Sequence, residues 1–203
     1  MHRLIALLWL CLAAPLAAAP ANDGLLQNVL AELGRHQAVR AEFSQVRENP
    51  ALAKPLVSEG RLLFVLGHGM LWQTLTPYPE TLALTGSRTT RIDADGSPHT
   101  ERSERGVSQV SQMLQGMLGG HLEEALRQFD VAASGTPAHW TLRFVPRQQR
   151  MARVLGSITL SGDDYLQGIT IAMQDGTRTT IRFSHTRDAG VLDALERRAL
   201  GAP

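Results

Sequence analysis

Apolar and polar residues alternate along much of this chain, and this two-residue period constrains the fold more than any other feature. The alternation is found in segments 39–46, 60–76, 82–84, 140–144, 154–160, 169–173 and 181–183. Successive side chains of a strand point to opposite faces of a sheet, so each segment predicts a strand with one apolar face. Gly67-His68-Gly69 and Asp175-Gly176 separate neighbouring segments and are typical of hairpin turns. The pattern therefore predicts a meandering antiparallel sheet that is apolar on one side.

Other segments follow the helical period and predict a few helices that cover this sheet. They are segments 25–37, 107–118, 122–128 and 191–200. We therefore expect a mainly β (α+β) fold, a curved antiparallel sheet with a few covering helices. No repeat or linker divides the chain, so residues 22–203 are predicted to form one domain.

The first 21 residues have the layout of a secretory signal peptide. Arg3 precedes an apolar run from Leu4 to Leu12, and small residues follow as far as Ala21. This run is too short for a membrane span, which needs roughly 20 apolar residues. We predict cleavage after Ala21 and export to the periplasm. Because the only cysteine, Cys11, lies in this segment, a disulfide or a cysteine nucleophile is not expected in the mature protein.

Charge and motif content give no indication of nucleic-acid binding, metal binding or catalysis. The full chain has 20 basic and 19 acidic residues, and the arginines are scattered, so no basic surface for nucleic acid is expected. The histidines lack metal-ligand spacing, and Ser157 and Ser161 lack a nucleophile elbow. We therefore predict a non-enzymatic protein without a cofactor or a metal.

Several short motifs, in order and with characteristic spacing, resemble the LolA family of lipoprotein carriers. The segment 41–45 (AEFSQ) is similar to the A-x-F-x-Q segment that follows the first helix in that family, and Gly60-Arg61-Leu62 is similar to its G-x-L strand. Trp72 and Pro77 match the spacing of the family's tryptophan and proline, and segment 126–131 is similar to the start of its later strands. The resemblance covers nearly the whole mature chain.

The resemblance implies an unclosed β-barrel, with lid helices over an apolar cavity. It also implies a chaperone that takes acylated lipoprotein from an inner-membrane ABC transporter and passes it to an outer-membrane acceptor. Such a role in protein transport and outer-membrane biogenesis needs no cofactor. We expect the carrier to be a monomer.

Two departures from the family pattern leave the cargo open. Leu66 and Gly67 occupy the positions where the family carries an arginine that latches the lid, so opening is expected to depend on apolar contacts alone. The C-terminal segment 191–203 is predicted to be helical, where the family has a further strand region. A general lipoprotein carrier and a dedicated carrier of a specialised acyl or pigment lipid are both consistent with these features. A non-enzymatic lipid-sensing module is a further alternative.

The candidate lipid-binding residues are the apolar side chains of the predicted sheet face and of the helix at 107–118. The pattern alone allows either a lined cavity or a filled core. The candidates are Phe43, Leu62, Phe64, Leu66, Met70, Trp72, Leu82, Leu84, Val110, Met113, Leu114, Met117, Leu118, Trp140, Phe144, Ile158, Ile169, Ile171, Ile181 and Phe183.

Overall fold

The alternating segments form one antiparallel sheet in the computed structural model. The structure describes residues 22–86, 88–93, 97–101, 113, 115–116 and 122–202. The predicted signal peptide and most of the helix at 107–118 lie outside these residues. The described strands are β1 (Ala38–Glu48), β2 (Leu56–Val65), β3 (Gly69–Thr76), β4 (Glu80–Thr85), β5 (Arg88–Ile92), β6 (Pro98–Glu101), β7 (Phe129–Thr136), β8 (His139–Pro146), β9 (Leu155–Gly162), β10 (Leu166–Met173) and β11 (Arg178–Asp188).

The sheet consists of two meanders joined along a central seam. Its strand order is β6-β5-β4-β3-β2-β1-β11-β10-β9-β8-β7, so β1 and β11 pair at the centre and β6 and β7 are the edges. Phe43 of β1 lies opposite Phe183 of β11 at this seam. Since the two edge strands do not pair with each other, the sheet is not closed. The predicted fold class is confirmed.

The helices of the described chain are short, and in the sequence they precede, connect or follow the strands. They are α1 (Asn22–Leu33), α2 (Leu122–Gln128), α3 (Gln149–Ala152) and α4 (Ala194–Leu200). Met113, Gln115 and Gly116 are also helical. Helix α1 ends four residues earlier than predicted, at Leu33, because Gly34 follows it and glycine is a poor helix former. No helix in the described part of the chain is long and apolar enough to cross a membrane.

The two faces of the sheet carry separate apolar cores. The face on which α1 packs, here called the inner face, holds the larger core, which includes Trp72, Trp140 and Phe144. The opposite or outer face carries a smaller core in which Leu63, Leu71 and other side chains of β2–β4 pack against α4. The prediction of a sheet that is apolar on one side only was wrong for these strands. The reason is that α4 covers the second face, so apolar side chains are buried on both sides.

Helix α4 is fixed to the outer face by a charged contact as well as by apolar packing. The guanidinium of Arg40 on β1 donates to both carboxylate oxygens of Glu196, with 2.8 Å between Nη2 and Oε2. The Arg40 Nε atom also donates to the carbonyl oxygen of Ala189. Asp193 and Glu196 form a capping box at the start of α4. Together these contacts hold the C-terminal helix against the strand at the centre of the sheet.

Candidate functional site

An apolar cavity lies on the inner face, between the end of α1 and the strands around the central seam. Its volume is about 70 Å³. The residues that line it are Leu33, His36, Val39, Ala41, Leu62, Phe64, Met70, Trp72, Tyr165, Leu166, Ile169, Ile181, Phe183 and Thr186. Within the described part of the chain, no lysine, arginine, aspartate or glutamate lines it. A wall of this kind favours an apolar occupant, because burying a charge without a partner is costly.

The cavity is small relative to an acyl chain. An engineered protein cavity that binds benzene has a volume of about 150 Å³, roughly twice the 70 Å³ found here. The inner face is therefore largely filled in this conformation. An acyl chain requires the lining side chains or the covering helices to move apart.

A stacked aromatic pair, in which Trp72 lines the cavity and Phe43 lies in the core behind it, connects the motifs at 41–45, 60–62 and 72. The rings of Phe43 and Trp72 lie 3.8 Å apart between centroids, with 25° between their planes. Gly60 of β2 lies beside this pair. A Cβ atom there would overlap the carbonyl oxygen of Gln73 and lie 2.7 Å from Phe43 Cζ. Glycine is thus required at this position for the stack to approach the strand.

Polar groups at one end of the cavity form what we call the mouth, made of His36, Tyr165 and Asp188. The Nδ1 atom of His36 lies 2.7 Å from Asp188 Oδ1, and the rings of His36 and Tyr165 lie 4.2 Å apart. Partial burial, followed by the charges of Asp188 and Asp164, raises the pKa of the Tyr165 hydroxyl above its ordinary value of 10.0. Tyr165 therefore remains a neutral phenol at physiological pH.

Gln115 connects the covering segment to the turn between β2 and β3. Its side-chain oxygen accepts from the backbone N–H of Gly67 at 2.9 Å, and its side-chain nitrogen donates to the carbonyl oxygen of Val65 at 3.1 Å. The expectation that only apolar contacts hold the cover at Leu66 and Gly67 was wrong. A glutamine from the covering segment makes the polar contact there, and it reaches backbone atoms that are present whatever side chain the turn carries.

The structure divides the candidate lipid-binding residues into three groups. Those that line the cavity are Leu62, Phe64, Met70, Trp72, Ile169, Ile181 and Phe183. Those that belong to the inner core without lining the cavity are Phe43, Leu66, Leu82, Leu84, Met113, Trp140, Phe144, Ile158 and Ile171. Val110, Leu114, Met117 and Leu118 lie outside the described residues.

Sequence reasoning missed several lining residues, and for some of them a signal was present. Val39 and Ala41 alternate with Phe43 on β1, so they share its face. His36 and Tyr165 lie in connections that have no periodicity. Pairing of β1 with β11 brings these two connections to the same end of the cavity, and the sequence pattern carries no signal for that pairing.

The outer face has a larger and more polar groove between the strands and α4. Its volume is about 770 Å³, and both partners of the Arg40–Glu196 pair line it.

Among the described residues, no group of three or more histidine, cysteine, aspartate or glutamate side chains is arranged to hold a metal ion.

Comparison with known proteins gives one family match and a set of similar folds. Residues 17–200 match the model of a family described as "Outer membrane lipoprotein carrier protein LolA-like". No curated protein matches the chain.

Solved structures with a similar fold include the following three. A LolA superfamily protein from Nitrosomonas europaea is 10% identical, with 85% of this chain and 97% of that chain covered and a TM-score of 0.49. A putative outer membrane lipoprotein-sorting protein domain from Vibrio parahaemolyticus is also 10% identical, with 88% and 97% covered and a TM-score of 0.49. The MucA/MucB complex of Pseudomonas aeruginosa contains a chain that is 12% identical, with 83% and 58% covered and a TM-score of 0.47.

Proposed function

Because the chain belongs to the family of LolA-like outer membrane lipoprotein carrier proteins, whose model matches residues 17–200, we propose that it is a periplasmic lipid carrier. In this proposal it binds the acyl chains of a lipoprotein, or of a related lipid, at the inner-face cavity. It takes this cargo from an inner-membrane donor transporter and carries it towards an outer-membrane acceptor. No chemical step is involved.

The observation that carries the proposal is the apolar cavity at the central seam. Its wall combines Leu33 of the covering helix α1 with strand residues from both meanders, such as Trp72 and Ile181. Each methylene that moves from water into such a site contributes about 0.8 kcal/mol. Ten buried methylenes would therefore supply about 8 kcal/mol before the costs of opening and association are subtracted.

Opening of the inner face is part of the proposed mechanism, since the cavity of about 70 Å³ is too small for a whole acyl chain. The described covering elements are α1, the helical residues Met113, Gln115 and Gly116, and α2, which contributes Ala125 to the inner core. A cargo that binds only the open conformation shifts the equilibrium towards that conformation. The hydrogen bonds of Gln115 with the β2–β3 turn oppose this shift, so they set part of the cost of loading.

Native mass spectrometry of the protein purified from the periplasm without detergent tests this function. The expected result is a mass adduct, which solvent extraction and lipid analysis then identify as an acylated species. The nature of the adduct separates a lipoprotein-derived chain from a specialised acyl or pigment lipid. An apo mass, together with failure to take up an added acylated peptide, would overturn the proposal.

A further inference from the structure

The mouth of the cavity has a one-sided charge distribution. His36 is the only basic side chain among the described residues that line the cavity, and it contacts the carboxylate of Asp188. The side chain of Asp188 is 66% exposed, so its charge reaches the solvent in front of the cavity. The neighbouring turn between β9 and β10 adds Asp163 and the exposed Asp164, which directly precede Tyr165.

Among the described residues, the two arginines closest in sequence to the mouth residues do not balance these carboxylates. Arg187 precedes Asp188 in the chain but lines the outer-face groove, on the other side of the sheet. Arg35, close to His36 in sequence, forms an ion pair with Glu32 at 3.1 Å. Burial is the largest cause of the raised pKa of Tyr165, and the charges of Asp188 and Asp164 raise it further, so both carboxylates act at the mouth. A head group at the mouth therefore meets more negative than positive charge.

We propose that this mouth selects acyl chains with an uncharged or cationic head group, such as an ester, an amide or an amine, and disfavours chains that end in a free carboxylate. The inference rests on the proposed function and concerns the same cavity. At low salt the Debye length is about 30 Å, so salt only partly screens the repulsion between a carboxylate head at the mouth and the carboxylates of Asp188 and Asp164. An ester or amide head avoids this repulsion and can hydrogen-bond with the polar atoms of the mouth.

Three probes with the same ten-carbon chain and different head groups test the proposal: decanamide, decanoate and decylammonium. Their dissociation constants are measured by calorimetry at pH 7.5 in low salt. We expect decanamide and decylammonium to bind about three- to tenfold more tightly than decanoate, since each surface carboxylate contributes a modest Coulomb repulsion. This ratio should shrink at high salt, where the charges are screened.

Variants that neutralise carboxylates at or beside the mouth test whether these groups cause the weaker binding of decanoate. Asp164→Asn is the first variant, because Asp164 is exposed and no hydrogen bond or ion pair of its side chain with a described residue would be lost. Asp188→Asn is the second and also weakens the contact with His36. Glu80→Gln is the matched control, since Glu80 begins β4 at the opposite end of the sheet. The two mouth variants should bind decanoate more tightly and so reduce the preference for decanamide over decanoate, while the control should keep the wild-type preference.

The outcomes separate the inference from the function on which it rests. Equal binding of all three probes, or tightest binding of decanoate, would overturn the head-group selection and leave the carrier function intact. A preference that persists unchanged in both mouth variants would also overturn it. Failure of every probe to bind would count against the carrier function itself.

Discussion

Ala41 provides a direct test of whether the inner-face cavity is a binding site or an ordinary packing gap. It lies on β1, faces Leu62 across the β1–β2 pair and lines the cavity although it is only 6% exposed. The variant Ala41→Val adds two carbon atoms at this position and keeps a residue that suits a strand. It should fill part of the cavity without placing a polar group in the core.

The size of the effect follows from the cavity volume. A cavity costs about 24 cal/mol per Å³, so complete filling of the 70 Å³ space would stabilise the protein by about 1.7 kcal/mol at most. Partial filling by valine should give about 1 kcal/mol. With a slope near 2 kcal/mol per molar urea, this gain raises the unfolding midpoint by about 0.5 M. The same variant should weaken binding of decanamide by at least about tenfold, because the chain must displace the added methyl groups.

Ala83→Val is the matched control for this experiment. Ala83 on β4 is also a buried strand alanine, with 1% of its surface exposed. It belongs to the outer core and does not line the cavity. Valine there has no space to fill, so it should destabilise the protein by about 1–3 kcal/mol and leave decanamide binding unchanged. If Ala41→Val destabilised the protein as much as Ala83→Val and left binding intact, the reasoning about the cavity would be refuted.

Further variants test the contact of Gln115 with the β2–β3 turn, the glycine beside the Phe43–Trp72 stack and the outer-face ion pair. Gln115→Ala removes two hydrogen bonds worth about 0.5–1.5 kcal/mol each, so stopped-flow fluorescence should show faster acyl uptake; an unchanged rate would contradict this role. Gly60→Ala creates a backbone overlap and should cost more than about 3 kcal/mol in urea unfolding, whereas Gly24→Ala in α1 has open space and should be neutral or stabilising. The hydrogen bond from Arg40 lowers the pKa of Glu196 below its ordinary value of 4.5, so the stability that this pair contributes is present above pH 4.5 and is lost as the pH falls through the lowered pKa. Glu196→Gln should therefore be less stable than the wild type at pH 7 and lose less stability between pH 5 and pH 3; equal losses would argue against the pair.

Eight of the eleven described strands were predictable, because burial of one face imposes a two-residue alternation on their sequences. This alternation did not mark β5, β6 and β7 as strands. The hairpin turn at Gly67-His68-Gly69 and the turn at Asp175-Gly176 were found where the sequence placed them. The outer core was missed, although it left a trace in the sequence. The runs Leu62–Val65 and Met70–Trp72 are continuously apolar, which is typical of strands buried on both faces.

The mouth could not be predicted, because it depends on which strands pair. His36 precedes β1, Tyr165 lies in the turn before β10, and Asp188 ends β11. The contact between His36 and Asp188 spans 152 positions in the chain. Periodicity assigns each strand a face but contains no information on the partner of β1. The β1–β11 pair brings His36 and Asp188 together, and the β10–β11 pair adds Tyr165 at the same end of the cavity.

The distribution of contacts between the two faces indicates where the protein opens. On the outer face, α4 packs on β2–β4 and is fixed to β1 through Arg40 and Glu196. Helix α4 therefore stabilises the arrangement of these four strands. On the inner face, Gln115 makes the described side-chain polar contact between the cover and the β2–β3 turn, and the inner core provides apolar contacts. Apolar contacts with a cover can be exchanged for apolar contacts with an acyl chain at little net cost, whereas the outer ion pair has no such substitute. Loading should therefore displace the inner cover and leave the sheet and α4 in place.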